Sequence, residues 1–256
     1  MPGLSSDPYL LAVSVLAVVL VGLSKGGLGG MSLLGVPLMS LYMPPMTAAA
    51  VLLPILIVMD MVSLSVWRRH VDWRILKIVL PAAVLGIGIG WGTAEVVTDA
   101  EVRLIVGVVS LAFVARVLWQ KWGRPAAPVT GTLRPMLGRL CGMVGGFTSF
   151  VAHAGAPPLQ IYLLPLGLDP KTFTGTCVLF FAVTNAIKLI PYIALGQFDG
   201  AHLMLSAVLM PMGLAATYLG AWIVRKMRPA IFYPLTYASI ALVGLKLVQD
   251  GIAGMG

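Results

Sequence analysis

Gly-Leu-Ser-Lys-Gly-Gly-Leu-Gly-Gly-Met-Ser-Leu-Leu-Gly-Val-Pro, running from Gly22 to Pro37, is a glycine-rich interruption with one lysine inside otherwise apolar sequence. A second version, Gly-Met-Val-Gly-Gly-Phe-Thr-Ser-Phe-Val-Ala-His-Ala-Gly-Ala-Pro, runs from Gly142 to Pro157. Glycine in a helix costs about 1 kcal/mol relative to alanine, so Gly26, Gly27, Gly29 and Gly30 together predict that the helix breaks there. Broken backbone at membrane depth leaves free N–H and C=O groups, tolerated only when buried in protein or lining a wet cavity. Paired interruptions at matching places in two halves of a membrane chain point to a transporter's substrate site.

The remainder of the chain supports a membrane setting. Of 256 residues, 59% are hydrophobic and 10% charged, and mean hydropathy is +0.98, which identifies an integral membrane protein. Loops between apolar segments are short, so residues 1–256 are expected to form a single membrane domain. The net charge of +8 could suggest nucleic acid, but the bases gather in a few loops beside apolar segments, where they set orientation, so no nucleic-acid partner is expected. Cys141 and Cys177 fall within apolar segments and read as small packing residues. Residues 1–23 lack the basic start of a signal peptide and read as a retained membrane helix.

Apolar segments are expected near 9–23, 27–42, 46–66, 75–92 and 101–119, then, after a polar linker at 120–136, near 138–152, 155–167, 172–194, 201–223 and 230–249. Gly22 aligns with Gly142, Pro37 with Pro157, Asp60 with Asn185, Pro81 with Pro211, Gly90 with Gly220 and Arg116 with Lys246. The chain therefore reads as repeat 1 (9–119), a cytoplasmic linker (120–136) and repeat 2 (138–249). The positive-inside rule puts Arg68, Arg69 and Arg74, the linker bases Lys121, Arg124, Arg134 and Arg139, and the Arg225, Lys226 and Arg228 loop in the cytoplasm. Even parity between these loops requires that 138–167 enter and return as a hairpin. The loop with Glu95 and Asp99 is then external while its counterpart at 224–229 is internal, which makes the repeats inverted, with both termini outside. The expected fold is all-α and polytopic, with 8–10 membrane segments: each repeat has a broken or re-entrant hairpin followed by three transmembrane helices. The breaks are expected to converge near the membrane middle.

Gly26, Gly27, Gly29 and Gly30 followed by Pro37-Leu38, the second copy ending in Pro157-Pro158-Leu159, and the later Asn185-Ala-Ile-Lys188 resemble the sulfite exporter TauE/SafE family of the toluene sulfonate uptake permease superfamily. The resemblance covers essentially the whole chain. Phe147, Thr148 and Ser149 stand where runs of glycine are common in that family. The resemblance implies a multi-pass carrier of the bacterial inner membrane for sulfur-containing anions such as sulfite, sulfoacetate or other organosulfonates, working without a cofactor.

Within this frame, Ser24 and Lys25 beside the amides of Gly26 and Gly27 form a candidate anion site, because cationic charge and free N–H groups act together. The plainer explanation is that Lys25 snorkels to the cytoplasmic surface. Lys188 lies deep in its apolar segment with Thr184 adjacent and Asn185 one turn before it, and is a substrate-binding candidate against a structural ion pair. Helix rise puts Lys188 and Asp60 more than ~10 Å apart along the membrane normal. Asp60 is the one carboxylate inside an apolar segment; without a partner it could hold a proton, so Asp60 and His153 are coupling candidates, against a plain helix-to-helix hydrogen bond for Asp60. Ser149 and His153 lack an orienting acid nearby, which argues against a membrane hydrolase; with Thr148 and Gln160 they read as polar lining of the second break.

The expected function is therefore secondary transport of a small sulfur-containing anion by alternating access. Export is the expected direction, since an anion leaving a negative interior gains about 2.3 kcal/mol per charge per 100 mV. An anion channel and a proton-coupled importer of organic anions are the alternatives. No enzymatic activity, metal or cofactor is expected; the partners are the anion, membrane lipid and, in one assembly, a second copy as a homodimer.

Overall fold

The computed structural model describes residues 8–28, 35–39, 42–43, 45–93, 98–121, 132–194 and 200–255. Gly29, Gly30, Glu95 and most of the 120–136 linker lie outside the described residues. In chain order the elements are α1 (Pro8–Leu23), a π-helical turn (Ser24–Leu28), α2 (Gly35–Met39), α3 (Pro45–Trp67), α4 (Trp73–Gly92), α5 (Asp99–Lys121) and α6 (Pro135–Val151). There follow α7 (Ala156–Leu163) with a 3₁₀ turn (Leu164–Leu166), α8 (Pro170–Ala194), α9 (Gly200–Lys226) and α10 (Pro229–Ala253). The fold is all-α, with no strand among the described residues.

Among the described residues, seven stretches are long and apolar enough to cross a membrane: Tyr9–Leu28, Ala50–Trp67, Trp73–Gly92, Ala100–Trp119, Pro170–Ile190, His202–Lys226 and Pro229–Ala253. Eight-residue α7 rises about 12 Å, far short of a ~30 Å hydrocarbon core. Exposed Leu85, Ile190, Met204, Trp222 and Leu242 give the outer surface the apolar character that lipid requires.

The basic loops share one end of the molecule. Trp67 at the end of α3, Ile75 at the start of α4, Phe173 at the start of α8, Val224 at the end of α9 and Phe232 at the start of α10 belong to one buried cluster. The Arg225 guanidinium lies 5.9 Å from the Trp67 ring. Arg68, Arg69 and Arg74 are therefore on the same side as Arg225, Lys226 and Arg228. Asp72 caps α4 by accepting from Arg74 N and Ile75 N, and its own amide donates to Thr176 Oγ1 at 3.0 Å, which fastens this loop to α8.

Lipid tails are as apolar as leucine, so helices in a membrane associate through close packing instead of the hydrophobic effect, and small residues decide where they meet. The second glycine motif serves this purpose. Its residues Gly142, Gly145 and Gly146 stay helical inside α6, and the break begins only at Ala152. A Cβ on Gly142 would meet the Val79 carbonyl oxygen at 2.4 Å, and one on Gly146 the Ala83 carbonyl oxygen at 2.1 Å. On α4, a Cβ at Gly86 would lie 2.0 Å from the Met143 carbonyl oxygen. The expectation that this motif as a whole breaks the helix is corrected: two of its glycines, Gly142 and Gly146, let the α4 and α6 backbones touch.

Gly146→Leu should force α4 and α6 apart and lower the thermal midpoint of the detergent-purified protein, overpacking of this kind costing about 1–3 kcal/mol or more. Gly88→Leu, on the exposed face of α4 with nothing within 4 Å of its Cβ, should leave the midpoint unchanged.

Candidate functional site

The first break is built by two glycines with different duties. Gly27 takes φ 129°, a value that glycine alone adopts readily, and this ends the α-helical path of α1. Gly26 is pressed against α9, where a Cβ would sit 2.4 Å from the Thr217 carbonyl oxygen. The carbonyls released by the break are satisfied from α3: Ser63 Oγ donates to Lys25 O at 2.9 Å, and Trp67 Nε1 donates to Gly26 O at 3.1 Å. This partnering lets irregular backbone persist at membrane depth.

Lys25 turns inward. Its Nζ lies 2.6 Å from Asp60 Oδ1 and 5.5 Å from the centroid of the Phe181 ring. The second Asp60 oxygen accepts from Asn185 Nδ2 at 2.7 Å. The snorkelling explanation of Lys25 does not describe this side chain, and Asp60 is not a carboxylate without a partner. Asp60 reaches Asn185, one turn before Lys188, and among the described residues no salt bridge joins it to Lys188.

The second break spans Ala152–Gly155 between α6 and α7. His153 occupies the left-handed region at φ 53°, at a cost of roughly 1–2 kcal/mol for a residue with a Cβ. Thr148 holds the break. Its carbonyl accepts from Ala152 N and Ala154 N, each at 3.0 Å, and its hydroxyl lies 2.8 Å from Val144 O and 3.1 Å from Ala154 O. Next to it, Ser149 O and Ser149 Oγ both accept from Lys188 Nζ at 3.1 Å.

Residues from both breaks line one cavity with about 870 Å³ of empty space, its open part included. Ser24, Lys25 and Gly27 come from the first break, Ser149 from the end of α6, His153 from the second break, Gln160 from α7, and Asn185 and Lys188 from α8. Gly26 and Thr148 are off the cavity wall, one inside the α9 contact and the other at the end of α6, bonded to the second break. Asp60 stands behind Lys25 and Asn185. Among the described residues no group of three His, Cys, Asp or Glu side chains is placed to hold a metal ion.

The charges are not balanced. Lys188 is 1% exposed, and no carboxylate lies within 4.0 Å of it among the described residues. An ammonium taken out of water is unfavourable by several kcal/mol without a counter-charge, and hydrogen bonds to one serine offset only part of that. The cavity beside it is thus suited to a negative guest.

Thr174 and Phe181 are among the lining residues that escaped the sequence reading: Thr174, 2% exposed, has a hydroxyl without a hydrogen-bond partner among the described residues, and Phe181 lies beneath Lys25. Both continue the face of α8 that carries Asn185 and Lys188, through Thr174, Val178, Phe181, Asn185 and Lys188. Extending the Lys188 face at this alternating spacing of four and three would have found them.

The family model described as Sulfite exporter TauE/SafE matches residues 14–247. A protein of Cupriavidus necator named "Probable sulfite/organosulfonate exporter TauE" is 24% identical over 232 residues, covering 88% of this chain and 87% of that relative. No solved structure matches the chain at a significant level. With the family match spanning nearly all of a helical chain that has seven membrane-length stretches among its described residues, the protein is a multi-pass transporter of the bacterial inner membrane and belongs to the sulfite exporter TauE/SafE family.

Proposed function

We propose that the chain is a secondary transporter that exports small sulfur-containing anions, sulfite or organosulfonates, by alternating access between two inverted-topology repeats. The observation that carries this is the buried Lys188 ammonium, without a carboxylate partner among the described residues, on the wall of a cavity lined from both chain breaks. An anion there supplies the missing counter-charge, and the Ser149, Gln160, Asn185 and Thr174 side chains supply donors to its oxygens. The substrate class follows the name of the Cupriavidus necator relative.

Packing supports the inverted relation. α1 packs on α9 as α6 packs on α4, α3 packs on α9 as α8 packs on α4, and α5 pairs with α10. A Cβ on Gly22 would meet Gly213 O at 2.6 Å, as one on Gly146 meets Ala83 O. The alignment of Pro81 with Pro211 equates Ala83 with Gly213, so this contact sets Gly22 against Gly146, one turn from its sequence-aligned partner Gly142. In this register Lys25 corresponds to Ser149. Each break then sends one residue to the following long helix, Lys25 to Asp60 and Ser149 to Lys188.

Export follows from the membrane potential. With the interior negative, efflux of a monoanion is favoured by about 2.3 kcal/mol per 100 mV and needs no coupling ion. The Asp60 carboxylate already has a cation and an amide as partners.

Three outcomes are expected. Lys188→Met keeps the apolar stem and removes the charge; the protein should assemble, while sulfite affinity measured in proteoliposomes falls about 100-fold or more, and unchanged affinity would make Lys188 structural. Single cysteines replacing Arg69 and Lys226 should both be labelled by an impermeant reagent from the cytoplasmic side only, and labelling from opposite sides would end the inverted-repeat relation. Vesicles loaded with sulfite should release it faster under an outside-positive potential without a pH gradient. If efflux does not accelerate, yet a proton gradient drives it and Asp60→Asn abolishes it, the export reading gives way to proton coupling.

A further inference from the structure

Resting on the anion-transporter reading above, we infer that the cavity holds a second station for the anion, an uncharged one built on the Thr174 hydroxyl at its cytoplasmic end, where the guest is taken up before it reaches Lys188. Thr174 is buried on the cavity wall, and its Oγ1 has no hydrogen-bond partner among the described residues. A buried hydroxyl inside a helix commonly donates to the carbonyl four residues earlier, as Ser110, Thr148, Thr217 and Thr236 do in this protein. Thr174 does not. An unsatisfied polar group inside a native structure is destabilising, and it persists where function requires it.

The position of Thr174 is that of an entrance. Phe173 beside it belongs to the buried cluster that joins Trp67, Ile75, Val224 and Phe232 under the basic loops, an end that the positive-inside rule turns to the cytoplasm. The first break comes to the same point: a Cβ on Gly27 would lie 2.6 Å from Thr174 Cγ2, 3.3 Å from Thr174 Oγ1 and 3.2 Å from Val224 Cγ2. Glycine at that position leaves the hydroxyl without a side chain over it. Lys188 lies about 21 Å further along α8 by helix rise, with Val178 and Phe181 on the lining face between them. A sulfite or a two-carbon sulfonate is far shorter than this interval, so the donors act in succession, Thr174 first and then Asn185, Ser149 and Lys188. A neutral hydroxyl holds an oxyanion more weakly than an ammonium does, which suits a station that the guest must leave.

The test is Thr174→Val, which keeps the side-chain shape and exchanges the hydroxyl for a methyl, beside Thr174→Ser, which keeps the hydroxyl. Uptake of radiolabelled sulfite and sulfoacetate into inside-out membrane vesicles, which present the cytoplasmic face, gives KM and the maximal rate. Calorimetry on the detergent-purified full chain gives the equilibrium affinity. Thr174→Val should raise KM for both anions about tenfold with the maximal rate kept, the effect of losing one hydrogen bond to a charged group. The calorimetric affinity, set at Lys188, should not change. The thermal midpoint should rise by about 2–4 °C, because an unsatisfied hydroxyl has been removed from the interior. Thr174→Ser should restore KM, and Thr174→Ala should repeat the rise in KM, so the reading survives should valine fail to pack against Gly27. An unchanged KM in the valine and alanine variants, a serine variant that does not restore it, or a midpoint that falls in Thr174→Val overturns the station while leaving the transporter reading intact. If wild-type vesicles take up neither anion, the transporter reading itself falls and takes this inference with it.

Discussion

Asp60 is the point on which the interior depends. One of its oxygens holds Lys25 of the first break and the other holds Asn185 of α8, so a single carboxylate joins three segments far apart in sequence. In the interior of a membrane protein this is a strong constraint, because an ionised carboxylate without partners is unfavourable by several kcal/mol and no water shell replaces them. The requirement works in both directions. It positions α3 against α8, and it directs the Lys25 side chain inward although a long basic side chain at a membrane chain break would otherwise reach for the surface.

The same rule governs the backbone at the two breaks, which are kept by different means. At the first, the released carbonyls of Lys25 and Gly26 are met by Ser63 and Trp67, both from α3. At the second, Thr148 acts locally and gathers the amides of Ala152 and Ala154 on its own carbonyl. The first break is thus tied to a neighbouring helix and the second closes on itself. Their shared result is a pair of polar chain ends beside one cavity, with Lys25 and Ser149 each bonded to a long helix.

Around this polar centre the helices are held by contact of backbone with backbone. Gly86, Gly142 and Gly146 bring α4 and α6 together, Gly22, Gly26 and Gly220 do so for α1 and α9, and Gly107 and Gly251 for α5 and α10. By propensity alone, the glycines of the two motifs at Gly22–Pro37 and Gly142–Pro157 are expected to break helices. In water that expectation is sound, but within a bundle in lipid the loss of propensity is offset by the close approach that only a missing Cβ permits. Gly27 breaks the helix through its positive φ, whereas Gly146 sits in continuous helix, and composition alone does not tell the two apart.

What the sequence by itself determined is the membrane class, the positions of the long helices to within a few residues, the presence of two interruptions and the buried charged residues Asp60 and Lys188. These are local properties, since a long apolar run in a membrane has no alternative to helix and a lysine or aspartate inside one is conspicuous wherever its partner lies. What only the tertiary structure decided is who meets whom: that Lys25 is taken by Asp60, that Lys188 is left with a serine and no carboxylate among the described residues, and that Thr148 faces its own break and not the cavity. Such pairings join residues as far apart as Asp60 and Asn185, 125 positions, and they depend on helix crossing and side-chain reach, which the rise along a single helix does not encode.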